Sequence, residues 1–522
     1  MDNAQKTGNT DAKPLFQNSH QPFGQIPPDV LIKIFLLFLD DENTEKRTHS
    51  LLQLTWISNH WRNIALGCKG LWAYIDNSNY KWAAVWLDRS GDALLSVDLD
   101  KKSVRFGTHN LLNPVSHRLK SLHLRASGQV LSTWDAASPH LEHLALQSLQ
   151  ILEDSLQDHA ATLRHLSLRN CTFHYHQVLT TFSGVTVLTV EHPERQLSPN
   201  SLLQLLQGMT RLVKLVLCRV FEEPDTAPNL IDQQRTSNLV YLQIEDYQVE
   251  ACLQFIENFS LITEKTCVRV HLAFSTGGPP SLQTRLSAIS QLHSSSARRL
   301  TSVKLGNARG YSPALIIEFS STSSQGIPIA PARYVIAPAY VKTSVLLTAL
   351  QGALDLSEVH TLRVHLPARE LSALEAMQLA SIFGPCPRIQ CVDFQCSPGA
   401  TSNFLASLAS YLTGSSGTPR LVPFPALETY GVVNDPQLAT LLGCALSFRI
   451  GQGCKLRTLV MGRQSATWPG IVVDEMSERV DGVIIEGSEE YLEFVDRQDE
   501  EDQKAFRPLE DDDGDYDEED DE

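Results

Sequence analysis

One short apolar phrase, Leu-x-x-Leu-x-Leu, recurs along this chain and limits the folds open to it. Six copies in succession are separated by steps of 22, 22, 22, 27 and 27 residues, and they start at Leu119, Leu141, Leu163, Val185, Leu212 and Leu239. Later copies start at Leu300, Val359, Ile389 and Leu456, with a weaker one at Leu427. Three equal steps indicate a repeat rather than unrelated apolar clusters in a leucine-rich chain.

The spacing inside each phrase predicts a strand followed by a return segment. Its last four positions alternate apolar and polar residues, as a strand with one buried face does. The chain must then return behind that strand, and residues 201–206 and 371–383 have the apolar pattern of helices. One unit cannot bury its apolar face alone, so successive units must stack. The chain is therefore predicted to be an α/β solenoid with a parallel sheet on its concave side.

The repeated phrase resembles leucine-rich repeats. Asn170 and Cys171 follow one phrase and Cys218 follows another, which matches the Asn or Cys found after the phrase in that family. The resemblance implies an irregular leucine-rich-repeat horseshoe over residues 77–485.

Two gaps of about 60 residues interrupt the series, before Leu300 and before Val359. Each is expected to hold a divergent unit, with candidate strands at 268–272 and 334–336. The Ser-, Gly- and Pro-rich residues are expected to form exposed loops, at 273–280 and 320–332.

Residues 26–76 have a different apolar pattern from the repeats that follow, and they predict a small all-α module. Pro27 and Pro28 precede the apolar run 30–39, and proline suits the first helical turn because its missing N–H has no helical partner there. The run is apolar on nearly all sides, which is typical of a helix that is buried on several sides or contacts a partner. A second helix is predicted from Ser50, with an apolar face formed by Leu54, Ile57, Trp61 and Ile64.

The order of motifs in this module resembles the F-box, in the F-box-like form abundant in fungi. The motifs are Ile-Pro-Pro-Asp-Val-Leu-Ile-Lys-Ile-Phe at 26–35, Trp-Arg at 61–62 and Leu-Trp at 71–72. The resemblance implies a surface that docks a Skp-family adaptor and, through it, a cullin ubiquitin ligase. The matched residues are Pro27, Ile34, Phe35, Trp61 and Trp72. Large aromatic residues often form cores, so the two tryptophans fit an intramolecular role equally well.

These features predict a substrate-recognition adaptor of a Skp–cullin–F-box-type ubiquitin ligase, in which the repeat face binds an unknown protein target. The alternative is a leucine-rich-repeat interaction scaffold whose helical module is only an N-terminal cap, with no ligase link. The two differ in whether residues 26–76 bind a Skp-type adaptor.

Negative charge is concentrated near the C-terminus. Residues 496–522 contain 16 acidic and three basic residues, which accounts for −13 of the net charge of −17 and leaves −4 for the rest. A nearly neutral body lacks the basic footprint of nucleic-acid binding, so no nucleic-acid partner is expected. The acidic tail, 486–522, and the polar residues 1–25 are expected to be disordered.

Localisation signals are absent from the sequence. It has neither a signal peptide nor an apolar run of membrane-spanning length, so a cytoplasmic and/or nuclear protein without a membrane partner is expected. The ten cysteines include no Cys-x-x-Cys pair, which favours reduced, mostly buried thiols over a zinc site.

Catalytic motifs are also absent. The sequence has no phosphate-binding loop, dinucleotide fingerprint, nucleophile elbow or metal-binding helix, so we expect neither enzymatic activity nor a cofactor. Three histidines are expected to occupy the same polar position of successive repeats and to lie side by side on the concave face. Such a row is either a ligand-binding or pH-sensitive patch, or a set of ordinary exposed strand residues. The candidate target-binding residues are His123, His143, His165, Lys214 and Gln243.

Overall fold

The computed structural model describes most of the chain between residues 26 and 485. The described ranges are 26–40, 44–76, 80–100, 113–130, 138–151, 162–172, 182–224, 239–259, 265–274, 279–294, 298–308, 311–322, 328–338, 342–366, 371–410, 424–432, 438–451, 453–461 and 476–485. The predicted disordered segments, 1–25 and 486–522, lie outside them. The chain divides into two compact units, the first comprising residues 1–220 with 229–238 and the second residues 221–228 with 239–522.

The first unit begins with three helices and a tight turn. These are α1 (Pro28–Asp40), α2 (Thr44–Ile57), α3 (Asn59–Gly67) and a 3-10 turn (Lys69–Trp72). The predicted single helix from Ser50 through Ile64 is wrong, because the chain breaks at Ser58. The Ser58 hydroxyl accepts a hydrogen bond from the Trp61 N–H at 3.1 Å and so caps α3.

In its described residues, the rest of the first unit is a series of strands with two further α-helices. In chain order they are β1 (Tyr74–Ile75), α4 (Ala83–Ser90), β2 (Leu95–Leu99), β3 (Leu119–Val130), β4 (His143–Gln150), β5 (His165–Arg169), β6 (Val187–Glu191), α5 (Pro199–Gln207) and β7 (Lys214–Cys218). Each strand pairs in parallel with the next strand in sequence. The parallel arrangement predicted from the phrase is found in this unit.

Equivalent leucines of successive phrases are stacked directly on one another. Pairing places one buried residue of each strand opposite the next, in the column Leu122, Leu144, Leu166, Leu188 and Leu215. Burying one leucine side chain contributes about 1.5–3 kcal/mol. The column therefore fixes the strand register, because a slip by one residue would expose every leucine in it.

Four residues on β4 or directly after β5, β6 and β7 share one unusual backbone conformation. Ser148, Asn170, His192 and Arg219 have φ angles of 57°, 50°, 46° and 53°. Each lies two positions after the last apolar residue of its phrase. Asn170, His192 and Arg219 begin the turns that leave β5, β6 and β7, whereas Ser148 lies within β4. Non-glycine residues adopt this left-handed conformation at a cost of about 1–2 kcal/mol. Beside one such turn, the Cys171 thiol donates to the Leu146 carbonyl of the preceding strand at 3.2 Å.

The second unit combines ten strands with six helices among its described residues. They are β8 (Tyr241–Asp246), α6 (Val249–Asn258), β9 (Cys267–Phe274), α7 (Pro279–Ser294), β10 (Arg299–Ala308), β11 (Tyr311–Thr322), β12 (Pro328–Pro338), α8 (Thr343–Ala353), β13 (Thr361–His365), α9 (Ala373–Phe383), β14 (Cys391–Gln395), α10 (Pro398–Ser410), β15 (Thr429–Val432), α11 (Ala439–Gly451), β16 (Thr458–Met461) and β17 (Gly482–Ile485).

The sheet of the second unit is mixed, so the prediction of a purely parallel sheet is wrong here. β10, β11 and β12 form an antiparallel meander. Its outer strands pair in parallel with their other neighbours, β12 with β9 and β10 with β13. The reason is the length of the connections. Ala308 pairs with Tyr311, and two intervening residues cannot make the crossover of a dozen or more residues that a parallel pair needs.

The meander also changes two of the local predictions. The strand expected at 334–336 exists within β12, but it lies between β9 and β11 rather than between β10 and β13. All of the described part of 320–332, expected as an exposed loop, belongs to β11 and β12. Residues 323–327 of that segment lie outside the described ranges.

A buried polar pair joins α7 to the meander. His293 and the hydroxyl of Tyr334 share a hydrogen bond of 2.8 Å, and the Phe319 ring lies 4.4 Å from the imidazole between ring centroids. Burial and then the charge of Arg298 lower the pKa of His293 to about 4. Burial likewise raises the pKa of Tyr334. The imidazole is therefore neutral at pH 7 in the folded chain.

This shift predicts a loss of stability in mild acid. The unfolded chain binds a proton at His293 near pH 6.5, whereas the folded chain does so only near pH 4. The free energy of unfolding should therefore fall by about 3 kcal/mol as the pH drops through this interval. His293→Gln keeps a hydrogen-bonding group without a titration. Urea unfolding of both proteins from pH 7 to pH 4.5 should show a smaller decline for the variant, and equal declines would refute the assignment.

Candidate functional site

The helical module is held together by an aromatic core. Phe35 on α1 is fully buried and packs against Trp61 on α3, with ring centroids 5.1 Å apart. Trp72 is also buried, and its indole N–H donates to the Ala65 carbonyl at 2.8 Å. The Trp86 ring of α4 meets Trp72 edge-on at 5.0 Å. Phe35 and Trp72 therefore pack in the core of the module. Because both rings are buried, neither of them offers a surface to a partner protein.

The adjacent face of α1 is apolar and exposed. Val30, Ile34, Leu37 and Phe38 retain 41%, 42%, 67% and 42% of their accessible surface. Their spacing of four, three and one residues places all four on one side of the helix. The buried face of the same helix is formed by Leu31, Phe35 and Leu39. We call the four exposed residues the α1 stripe.

The five residues matched to the F-box differ in position. Pro27 and Ile34 are exposed, Trp61 is half-buried, and Phe35 and Trp72 are buried. Pro27 also starts α1, because its carbonyl accepts hydrogen bonds from the N–H groups of the residues at 30 and 31. Motif matching by itself does not separate these roles, since core and surface positions alternate along one helix.

Other exposed apolar residues were not predicted from the sequence to be docking residues. Leu37 and Phe38 complete the α1 stripe, and α2 adds Trp56, which is 67% exposed, as well as Leu52 and Ile57. The available signal was the run at 30–39 that is apolar on nearly all sides. A helix with one buried face needs apolar residues on only about a third of its surface.

The candidate residues on the sheet lie on its polar face, opposite the leucine column. Pairing places Ser121, His143, His165, Val187 and Lys214 in one row across β3 to β7. The expected alignment of three histidines is wrong for one of them. His123 pairs with Ala145, so it lies two residues further along its strand than the row. The physical reason is that His123 follows the second leucine of its phrase, whereas His143 and His165 precede theirs.

The two aligned histidines are in direct contact. The rings of His143 and His165 meet edge to face, with centroids 4.2 Å apart. Burial lowers the pKa of His165, and the charges of His143 and Lys214 lower it further, while Glu142 acts in the opposite sense. Both rings also reach solvent. An anion bound here would therefore meet two imidazole rings that can donate hydrogen bonds.

His123 belongs instead to an ion-pair cluster. Its Nδ1 lies 3.3 Å from Asp98 on β2, and Arg125 lies 3.4 Å from the same carboxylate. Burial tends to raise the pKa of Asp98, but the hydrogen bond and charge of His123 and the charge of Arg125 lower it overall. The negative charge of Asp98 is thus compensated by side chains of the neighbouring strand.

Gln243, the fifth candidate, lies in the second unit. Its side-chain oxygen accepts a hydrogen bond from the Tyr241 hydroxyl at 2.9 Å. On the neighbouring strand, Arg269 pairs with Gln243 and stacks over the Tyr241 ring at 5.4 Å. Gln243 thus belongs to a local group on β8 and β9.

The described residues contain neither a metal-ion cluster nor a membrane-spanning helix. In that part of the chain, no three His, Cys, Asp or Glu side chains are arranged to hold a metal ion. No helix there is both long and apolar enough to cross a membrane.

Comparison with known proteins gives no family assignment. None of the protein-family models matches the chain, and no curated protein matches it significantly.

The two faces of α1 predict different costs of mutation. Phe35→Ala should lower the free energy of unfolding by about 3–5 kcal/mol, because it opens a cavity in the aromatic core. Ile34→Ala, one residue away but exposed, should cost only about 0.5 kcal/mol. Urea unfolding followed by tryptophan fluorescence measures both values. Similar costs for the two variants would show that the faces of α1 are assigned wrongly.

Proposed function

We propose that this protein is a substrate-recognition adaptor of a Skp–cullin–F-box-type ubiquitin ligase. Its helical module would dock a Skp-family adaptor, and the polar face of its sheet would bind a protein target. The protein would perform no chemistry itself, and it would act in the cytoplasm and/or the nucleus.

The observation that carries the docking proposal is the α1 stripe. Four large apolar side chains on one helix face remain in contact with water, although the module has a formed core beside them. A contiguous exposed apolar surface of this kind is typical of a protein interface. A few large apolar anchors also supply most of the binding energy at interfaces. The F-box-like order of motifs at 26–72 supplies the class of partner.

Contacts between the helical module and the sheet support an adaptor role. β1 follows the module directly and pairs with β2, so the module supplies the first strand of the sheet. Arg47 of α2 donates to the Leu39 carbonyl at the end of α1 at 3.1 Å, and its guanidinium lies 4.9 Å over the Tyr74 ring of β1. These contacts hold the α1 stripe and the polar face on one packed unit, as presentation of a target to a ligase requires.

We also propose that the sheet is built from irregular leucine-rich repeats. The stacked leucine column, the left-handed turns and the Cys171 thiol bonded to the preceding strand favour this relationship. In the second unit, the Cys396 thiol makes the equivalent bond to the Val364 carbonyl at 3.5 Å. On this view, β11 and β12 are an insertion into the repeat series, because β10 itself carries a copy of the phrase.

Co-purification with a Skp-family adaptor tests the docking proposal. The full chain should retain the adaptor, whereas Ile34→Asp with Leu37→Asp should lose it, because two charges would be buried without partners. Affinity should fall at least about 100-fold, corresponding to roughly 2.7 kcal/mol. Both substituted residues are exposed, so the melting temperature should stay within a few degrees of the wild-type value.

A matched pair of exposed apolar residues on α9 provides the control. Leu374 and Met377 are 73% and 50% exposed and lie on a helix of the second unit. Leu374→Asp with Met377→Asp should bind the adaptor like the wild type. If the folded wild-type chain does not bind, the scaffold with a helical cap is the correct function. If the α1 variant binds as well as the control, the docking surface lies elsewhere.

A further inference from the structure

A thiol and an imidazole are paired where β6 and β7 end. Cys218 is the last residue of β7, and His192 directly follows β6. The Cys218 Sγ lies 3.6 Å from the His192 Nε2, within reach of a hydrogen bond between a thiol and a nitrogen. The His192 N–H also donates to the Cys218 carbonyl at 2.8 Å. We call these two residues the thiol–imidazole pair.

The turn after β6 positions the imidazole of this pair. His192 has a left-handed backbone, with a φ angle of 46°. Histidine adopts this conformation more readily than most residues other than glycine. The backbone hydrogen bond to Cys218 holds the turn against the end of β7. The turn that ends one strand therefore places a proton acceptor beside the sulfur of the next strand.

The thiol–imidazole pair combines partial exposure with a base. Cys218 and His192 are each half-buried, so small molecules can reach them. Burial instead raises the pKa of five other thiols, which favours their protonated form; these are Cys171, Cys252, Cys386, Cys391 and Cys396. Partial exposure beside an imidazole is an environment in which cysteines become reactive.

Other charged groups lie near the pair in the first unit. Glu191 of β6 pairs with Cys218, and its carboxylate lies 3.5 Å from the Nε of Arg169 on β5. Arg219 follows Cys218 in the chain. All three groups remain when only His192 is replaced. A comparison of such a variant with the wild type therefore isolates the effect of the imidazole on the thiol.

We propose that Cys218 is a nucleophilic thiol that small hydroperoxides oxidise to a sulfenic acid, with His192 as the base. The Nε2 atom accepts the thiol proton, because the thiolate and not the thiol is the nucleophile. The sulfur then attacks one peroxide oxygen, and an S–O bond forms as the O–O bond breaks. The sulfur is oxidised by two electrons. The leaving oxygen takes the proton from the imidazolium and becomes water or an alcohol.

This modification is independent of adaptor docking. It requires only the folded chain and a hydroperoxide, and it changes one side chain once without turnover. A failure of adaptor binding therefore leaves it untouched, and its own failure leaves the docking proposal untouched.

Trapping of the sulfenic acid tests the proposal on the full chain. The protein is treated with hydrogen peroxide and dimedone, which forms an adduct with sulfenic acids, and peptide mass spectrometry locates the adduct. Cys444 is the internal reference, because it is exposed and has no imidazole within hydrogen-bonding distance among the described residues. The adduct should form at least about tenfold faster at Cys218 than at the more exposed Cys444. Equal or faster labelling of Cys444 would overturn the proposal.

Alkylation by iodoacetamide distinguishes a base from a residue that only controls access. His192→Asn removes the imidazole and keeps a residue that tolerates the left-handed backbone. At pH 7, Cys218 of this variant should react at least about tenfold more slowly than Cys218 of the wild type, because an unaided thiol is little ionised there. At pH 9.5, ordinary thiols are mostly ionised, so the two proteins should react at the same rate. An equally slow reaction at both pH values would mean that His192 only controls access, and the proposal would fail.

An exposed histidine of the same unit provides the matched control. His117→Asn removes an imidazole from the turn before β3, and Cys218 of this variant should react like Cys218 of the wild type. An unchanged rate in His192→Asn at pH 7, or an equal loss in His117→Asn, would overturn the role of His192. Alkylation of the wild type without a dimedone adduct at Cys218 would overturn the reaction with peroxide. If His192→Asn does not fold, the order of labelling of Cys218 and Cys444 in the wild type decides.

Discussion

In-register stacking of parallel strands is the constraint on which the first unit depends. No single strand can bury its leucines, so each relies on the next to cover one flank of the column that runs from Leu122 to Leu215. The same register fixes the opposite face. Residues there are neighbours because their leucines are neighbours, and the His143–His165 contact is a by-product of hydrophobic packing. The buried leucines thus determine which polar residues are neighbours on the opposite face, although the leucines themselves do not lie on that face.

The two apolar faces of α1 in the helical module have different environments. Leu31, Phe35 and Leu39 hold α1 against the core, and the α1 stripe beside them stays exposed. A helix that is apolar on two faces is costly in an isolated protein, because its outer face gains nothing from folding. Binding of a partner to that face would bury its apolar side chains and offset this cost. Arg47 and the pairing of β1 with β2 then make the module and the first strands one packed body.

Much of the architecture was predictable from local patterns. The phrases at 119–244 marked β3 to β8 because their apolar spacing is set by strand geometry alone. The proline-led start of the first helix was likewise visible. The break at Ser58 was not, because a serine within an apolar periodicity fits both a helix interior and a cap. The meander of β10 to β12 was missed because β11 and β12 lack the phrase and because the order of these strands in the sheet depends on distant pairing.

The site was less predictable than the fold. The sequence identified both aligned histidines, but the prediction also placed His123 beside them. His123 lies two positions later in its phrase than His143 and His165 do in theirs, and so it falls outside their row. The sequence does not distinguish exposed Ile34 from buried Phe35. Adjacent residues of a helix point in different directions, and this direction, not the residue type, decides which of the two faces the core. The stripe residues Leu37 and Phe38 became identifiable only once the packed face of α1 was known.

Disulfide trapping across β5 and β6 tests the strand register most directly. Ser167 and Thr189 pair with one another, and parallel neighbours have Cα atoms about 4.8 Å apart, within disulfide range. Ser167→Cys with Thr189→Cys should therefore cross-link readily under mild oxidation, as peptide mass spectrometry would show. Ser167→Cys with Val187→Cys, a pair displaced by two residues to about 8 Å, should not. Faster cross-linking of the displaced pair would contradict the register and with it the contact between His143 and His165.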